Sequence, residues 1–237
     1  MRRVKLSALI LAAILAFTFT ESSFASDIIF PALGVCTGSN VRLRESPGTN
    51  SEIIGKVNES DRLVILGERK FKGDLWYSVD NPKEEGTAWI ISRYVDIASE
   101  DGERTPAVDI AINVRMNFGI RPEKAKILLG KPLKDKRGKF FFESANQNLS
   151  EEILTYRGCT LRYIENNLRH VEVTRQGYNF DEFKIGDSQE KLIQNIGDPS
   201  DKAGNVWIYN ITPIEVLEFT IENNVIVKME WNEYMDA

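Results

Sequence analysis

His170, Cys36 and Cys159 are the only residues in this 237-residue sequence that could pair a thiol nucleophile with an imidazole base. Such a pair works only when base and thiol lie within hydrogen-bond reach, so that the thiolate forms. Cys159 and His170 are the two near enough in sequence to test. They flank an alternating stretch in which Leu161 and Tyr163 run into the turn residues Asn166-Asn167-Leu168, and Val171 and Val173 leave it. A hairpin with a three-residue loop there sets Tyr163 opposite Val171 and His170 opposite Ile164. His170 then faces away from Cys159, Leu161 and Tyr163, because side chains alternate across a strand. It reads as a surface strand residue, and Cys159 as a core or disulfide residue. Metal chemistry finds no Cys-x-x-Cys, His-x-x-x-His or calcium-loop spacing, and there is no glycine-rich phosphate loop. Asp181 and Glu182 are adjacent acids at a boundary and read as solvated. The expectation is a non-enzymatic protein that needs no cofactor.

Binding is the chemistry that remains. Trp76, Tyr77, Trp89 and Tyr94, with the cation Arg44, fall in one β-rich region where aromatic faces could line a groove for an extended peptide. Large aromatics of short strands usually pack inward, so Trp76 and Trp89 read as core. Tyr77 alternates with Trp76, faces the other way, and is the better groove candidate. Trp207, Tyr209 and Trp231 read as core of a later region. The formal charge of −5 opposes long-range attraction to nucleic acid. The local basic cluster Lys131, Lys134, Lys136, Arg137 and Lys139, interrupted by Asp135 and Gly138, reads as a solvated loop.

The elements that must carry these residues divide the chain. Arg2, Arg3 and Lys5 precede an apolar run from Leu6 to Phe19, and Ser23-Phe24-Ala25 offers small residues for cleavage. This is the pattern of an export signal over residues 1–25. The run is shorter than the roughly 20 apolar residues of a membrane span, so no stable span is expected after cleavage. Loss of three cations and one acid brings the exported chain to about −7. Leu33-Gly34-Val35-Cys36 has the look of a lipidation box, but lies too far past the apolar run to serve as one. Export makes a Cys36–Cys159 disulfide chemically possible, and the sequence leaves bonded and free states open.

Residues 26–37 form an N-terminal segment, and residues 38–97 read as five short strands with turn signals, the pattern of a small barrel. The polar, acidic stretch 98–106, ending in Pro106, reads as an exposed linker. An internal repeat follows. Phe118-Gly119-Ile120…Gly130-Lys131-Pro132 aligns with Ile185-Gly186-Asp187…Gly197-Asp198-Pro199 at an offset of 67 (130 to 197, 132 to 199). Each copy reads as a short helix ended by glycine, the second with Asp187 and Glu190 at capping-box spacing. A hairpin follows each, at an offset of 56, so the first copy carries 11 extra residues, placed between Glu143 and Glu151. The boundaries are 107–182 and 183–237.

The series Asn40-Val41-Arg42, Ser46-Pro47, Gly55-x-Val57, Leu63-x-Ile65-Leu66, Trp76-Tyr77-x-Val79 and Ala88-Trp89-Ile90-x-Ser92-x-Tyr94-Val95 resembles the bacterial SH3 domain. It departs in having Ala88 where the family usually has glycine. The helix–glycine–hairpin unit resembles the outer-membrane assembly lipoproteins of the BamE/SmpA type, and its tandem arrangement resembles the β-lactamase inhibitory proteins. It differs from the lipoproteins in being duplicated and in having no lipidated N-terminal cysteine. The fold class expected is therefore mainly β with short helices, a small SH3-like barrel plus a duplicated α/β domain. The first resemblance implies recognition of peptidoglycan peptides, through Tyr77, Trp76, Trp89, Tyr94 and Arg44. The second implies a protein partner in the envelope. Both place the chain in the periplasm or otherwise in the cell envelope.

Overall fold

The computed structural model describes residues 28–97 and 104–235. The export-signal reading of residues 1–25 and most of the linker reading fall outside the described residues.

Seven strands open the chain: β1 (Ala32–Cys36), β2 (Val41–Arg44), β3 (Ile53–Val57), β4 (Arg62–Phe71), β5 (Asp74–Asp80), β6 (Thr87–Ile91) and, after one 3-10 turn at Ser92–Tyr94, β7 (Val95–Ile97). They form a single antiparallel sheet in the order β3-β2-β6-β5-β4-β1-β7. Alternation decides its inside: Val41, Leu43, Val57, Leu63, Ile65, Val79, Ala88 and Ile90 meet in one apolar core. The sheet begins earlier than residue 38. β1, from the segment read as a separate N-terminal piece, pairs with both β4 and β7 and buries Ala32 and Cys36.

The rest of the chain continues with α1 (Pro106–Phe118), α2 (Pro122–Leu129), β8 (Lys134–Phe142), β9 (Gln147–Tyr156), β10 (Cys159–Ile164) and β11 (Asn167–Val173). A short pair β12 (Asn179–Phe180) and β13 (Phe183–Lys184) leads to α3 (Gln189–Asn195), β14 (Asp201–Ala203), β15 (Val206–Thr212), β16 (Glu215–Glu222) and β17 (Val225–Glu233). Eight strands make one sheet, β14-β15-β16-β17-β11-β10-β9-β8. Each half is a helix followed by a four-strand meander, and the halves meet where β11 pairs with β17. This arrangement is compatible with a duplicated unit.

The hairpin registers differ from the three-residue-loop reading. β10 and β11 are joined by Glu165-Asn166, with φ 49° and 61°, and β16 and β17 by Asn223-Asn224, with φ 50° and 64°. Two successive residues at positive φ make the two-residue turn whose twist matches a hairpin. Tyr163 therefore faces Leu168, His170 faces Arg162, and Ile221 faces Ile226. The hairpin offset is 58 (163 to 221, 168 to 226), not 56. The longer first half owes its length to the β8–β9 arm, where β14 and β15 are short. Lys134 to Lys139 lie in strand β8, not in a loop. Ser188, rather than Asp187, caps α3 by accepting from the Lys191 N–H at 3.3 Å.

Helix α1 begins on the last residue read as linker and fills the start of the first repeat, where no helix was expected. Pro106 is its first residue, where a missing N–H costs nothing. Apart from one polar stripe of Asp109, Asn113 and Asn117, its faces are buried. Ala107, Ile110, Ala111, Val114 and Phe118 pack on the core of the eight-stranded sheet. Val108 and Ile112 pack on Val64 of the barrel. The barrel is thus docked, not tethered.

Charged groups complete that joint. Arg115, fully buried in α1, sends Nη1 to Glu215 Oε1 at 2.7 Å and Nη2 to Glu233 Oε2 at 3.2 Å. The Trp231 indole N–H also donates to Glu215 Oε1, at 2.7 Å. Arg169 reaches Glu233 Oε1 at 2.5 Å, and Arg62 of the barrel pairs with the same carboxylate. Beside α2, Lys124 Nζ donates to Asp80 Oδ1 at 3.0 Å and to the Glu84 carbonyl at 2.7 Å, and Arg121 pairs with Asp61.

The cysteines settle in separate cores, Cys36 in the barrel and Cys159 in the larger sheet, and both are free thiols. The disulfide considered from the sequence is not formed. Burial pushes the Cys159 thiol up to about 12 and raises that of Cys36 as well.

Candidate peptide-binding cleft

Three pieces of the barrel bring one cleft together. The first is Gly38 to Arg44, entering and running along β2. The second is the pair Trp76 and Ile91, directly opposite each other on β5 and β6. The third is the 3-10 turn that carries Arg93 and Tyr94. With Thr49 they enclose about 310 Å³. Val41 and Leu43 point into the barrel, so Arg42 and Arg44 point out, and the cleft lies on this outer face.

The walls differ in character. Trp76 is only 2% exposed, yet its indole N–H has no hydrogen-bond partner. Tyr94 is 39% exposed, with the Arg93 guanidinium 5.6 Å from its ring centre. Gly38 sets the position of that ring: a Cβ there would fall 3.0 Å from Tyr94 Cδ1 and 2.8 Å from Val41 Cγ2. Arg44 is nearly buried and donates through Nη1 to the Ser51 carbonyl at 2.5 Å. Arg93 lies 3.8 Å from Asp74, an exposed pair worth little. Arg42 is exposed. No acid is among the described residues that line the cleft, so the exposed Arg42 and Arg93 give it a positive rim on an acidic chain.

Residues 39–96 match the family model described as the bacterial SH3 domain. The barrel is a bacterial SH3 domain. Among solved structures the chain is similar to an extracellular protein containing a SCP domain from Bacillus anthracis str. Ames, with 10% identity and a TM-score of 0.36. That likeness covers 57% of this chain and 48% of the other, so the chain spans about half the length of that relative. No curated protein sequence matches the chain.

Of the residues picked from sequence, the SH3 domain brings Trp76, Tyr94 and Arg44 into the cleft and leaves out the other two. Tyr77 faces inward. It is 7% exposed, packs with Val79 and Ile90 in the barrel core, and its phenol is pushed up by burial and by Glu68. Trp76 and Tyr77 do alternate, but to the opposite faces: Tyr77 belongs to the barrel core and Trp76 does not, although both are nearly buried. Trp89 is half-buried on β6, opposite Ser78 and Arg44, and lies outside the cleft.

Arg42, Ile91 and Arg93 were missed. Arg42 shares the parity of Arg44, which was the available signal. Arg93 gave none, since the 3-10 turn breaks the alternation. In the second domain, the His170 ring places Nδ1 2.6 Å from Asn232 Oδ1, while Cys159 sits in the core on the opposite face. Among the described residues no group of three or more His, Cys, Asp or Glu comes together as a metal site, and no helix is long and apolar enough to cross a membrane.

Proposed function

We propose that this chain is an exported, non-catalytic cell-envelope protein whose SH3 domain holds a peptide of peptidoglycan in the Trp76–Tyr94 cleft. The observation that carries this reading is a peptide-sized, aromatic-walled cleft with a guanidinium rim, in a domain of the bacterial SH3 family. Stem peptides are short, extended and bear free carboxylates. Arg42 and Arg93 suit those carboxylates, since guanidinium groups bind them in a fixed, two-point geometry. The exposed Tyr94 ring offers an apolar face to the peptide backbone. Arg44, already held by the Ser51 carbonyl, shapes the floor.

In this reading the C-terminal domain adds a protein-binding surface. A second reading makes that domain dominant, as an assembly or inhibitor-type factor with the SH3 domain serving only as a tether. The observation on its side is the polar face of the eight-stranded sheet, where register sets His170, Glu172, Glu218 and Glu230 together, opposite the core. The buried joint around Arg115 supports a working unit of both domains over a passive tether.

The test is calorimetric titration of residues 26–237 with a soluble stem tetrapeptide. Arg42→Ala and Arg93→Ala each weaken binding by about five- to tenfold, on the order of 1 kcal/mol for a partly exposed charged hydrogen bond. Wild-type affinity in both variants would contradict the cleft assignment. Crosslinking in cells that traps an envelope protein through the C-terminal domain, with no peptide binding, would favour the second reading.

A further inference from the structure

The eight-stranded sheet ends on one side in β14, three residues long, and on the other in β8, nine residues long. A long edge strand is a template for another strand unless it is shortened, covered or charged. β8 is neither short nor covered: its residues from Lys134 to Lys139 are all exposed. It is charged, with Lys134, Lys136, Arg137 and Lys139 against the single acid Asp135.

The charges sort into satisfied and unsatisfied sets. On its inner side β8 already pairs with an acidic strand. Glu152 of β9 sits opposite Arg137, and Glu151 opposite Gly138. Glu152 lies 3.5 Å from Arg137 Nε and 2.7 Å from Lys126 Nζ, and Asp135 lies 2.9 Å from the same ammonium. Among the described residues Lys134, Lys136 and Lys139 have no acidic partner. Exposed apolar side chains stand at both ends, Leu133 at 71% and Phe141 at 50%.

We propose that β8 is a docking edge for an extended acidic segment of another protein, which adds to the sheet as a ninth strand. This goes beyond the peptide cleft and does not depend on it. Main-chain hydrogen bonds of β8 would supply affinity, and the three unpaired lysines selectivity. The same lysines oppose pairing with a second copy of this chain, because two β8 strands together would bring eight cations against two acids. They therefore act against the self partner and for an acidic one. A flat anionic lipid surface fits less well. Lys134 and Lys136 project from one face of the strand, Arg137 and Lys139 from the other, so a plane meets one set while an added strand lies alongside both.

A synthetic peptide with the sequence of β9, Gln147–Tyr156, is a suitable probe, because it carries the acids that β8 already accepts on its inner side. Hydrogen exchange on residues 26–237 reads its docking directly. The expected result is slowed exchange of amides within Lys134–Phe142, at least tenfold weaker binding by the double variant Lys136→Glu, Lys139→Glu, and a similar loss when both peptide glutamates become glutamine. Both substitutions are at exposed positions, and an unchanged far-ultraviolet circular dichroism spectrum and thermal midpoint would show the variant folded. Absence of β8 protection at millimolar peptide, or equal binding of the glutamine peptide, would overturn the proposal. So would binding of the chain to phosphatidylglycerol vesicles, lost in the double variant, with no protection by the peptide.

Discussion

Arg115→Met lowers the stability of the whole chain by about 3–5 kcal/mol, the usual consequence of removing one partner from a buried ion pair. Methionine fills the volume of the arginine stem but leaves the buried Glu215 with only the Trp231 N–H, while Glu233 keeps Arg62 and Arg169. Both carboxylates are at most 5% exposed, so water cannot replace the lost guanidinium. Arg115 also stacks 4.4 Å from the Trp231 ring centre, a desolvated contact that the variant loses. The effect spreads across the domain joint, because Arg62 of the SH3 domain and Arg169 share Glu233.

The pH dependence has a definite sign. Burial alone would raise the Glu215 carboxyl, but the Arg115 charge and hydrogen bonds from Arg115 and Trp231 outweigh it and hold it below the ordinary carboxylate range. A depressed folded value means that the unfolded chain takes up the proton first as pH falls. The Glu215 contribution is therefore complete at neutral pH, shrinks as pH drops through the ordinary carboxylate range, and is gone below the folded value. Urea denaturation of wild type and Arg115→Met should show the full gap at pH 7 and a narrower one near pH 4. A gap below about 1 kcal/mol at pH 7 would contradict a strained pair of carboxylates.

Gly119→Ala is the second large effect, and its counterpart Gly186→Ala is the control. Gly119 joins α1 to α2 at φ +82°, and an added Cβ would lie 2.5 Å from the Ala125 nitrogen and 2.9 Å from its Cα. Those atoms are backbone and cannot rotate away. A left-handed alanine costs about 1–2 kcal/mol, and forcing a methyl into a packed joint adds about 1–3 kcal/mol. The total expected loss is about 2–5 kcal/mol. Gly186 occupies the matching place 67 residues on, at φ +97°, but its Cβ would meet only Gln176 Nε2, at 3.5 Å. Only the backbone cost applies, about 1–2 kcal/mol. Similar losses at the two glycines would mean that the α1–α2 joint is looser than its geometry implies.

Alternation made the barrel strands legible, and it also explains where the reading failed. Trp76 and Tyr77 are both nearly buried, one under the cleft and one in the core, so size alone could not say which face was inside. Helix α1 escaped because its opening proline looks like the end of a linker, and its polar stripe is only three residues, Asp109, Asn113 and Asn117. The hairpins were legible as hairpins, but the turn asparagines fit two loop lengths, and positive φ at both Asn223 and Asn224 selects the shorter. Lys134 to Lys139 looked like a loop because edge strands are allowed charges that central strands are not. The ion cluster was invisible for a different reason. Arg62, Arg115, Glu215 and Glu233 are scattered over the chain, and only the docking of α1 between two sheets brings them together.

Co-sedimentation of residues 26–237 with protein-free peptidoglycan sacculi tests the central claim most directly, with Tyr94→Ala beside the wild type. Tyr94 is exposed on the cleft wall, so its loss should leave the fold intact while weakening retention about tenfold, on the order of one lost aromatic contact. Wild type in the pellet and Tyr94→Ala largely in the supernatant is the result expected. Wild type left in the supernatant, or a variant that pellets as fully as the wild type, would contradict peptide recognition by this cleft.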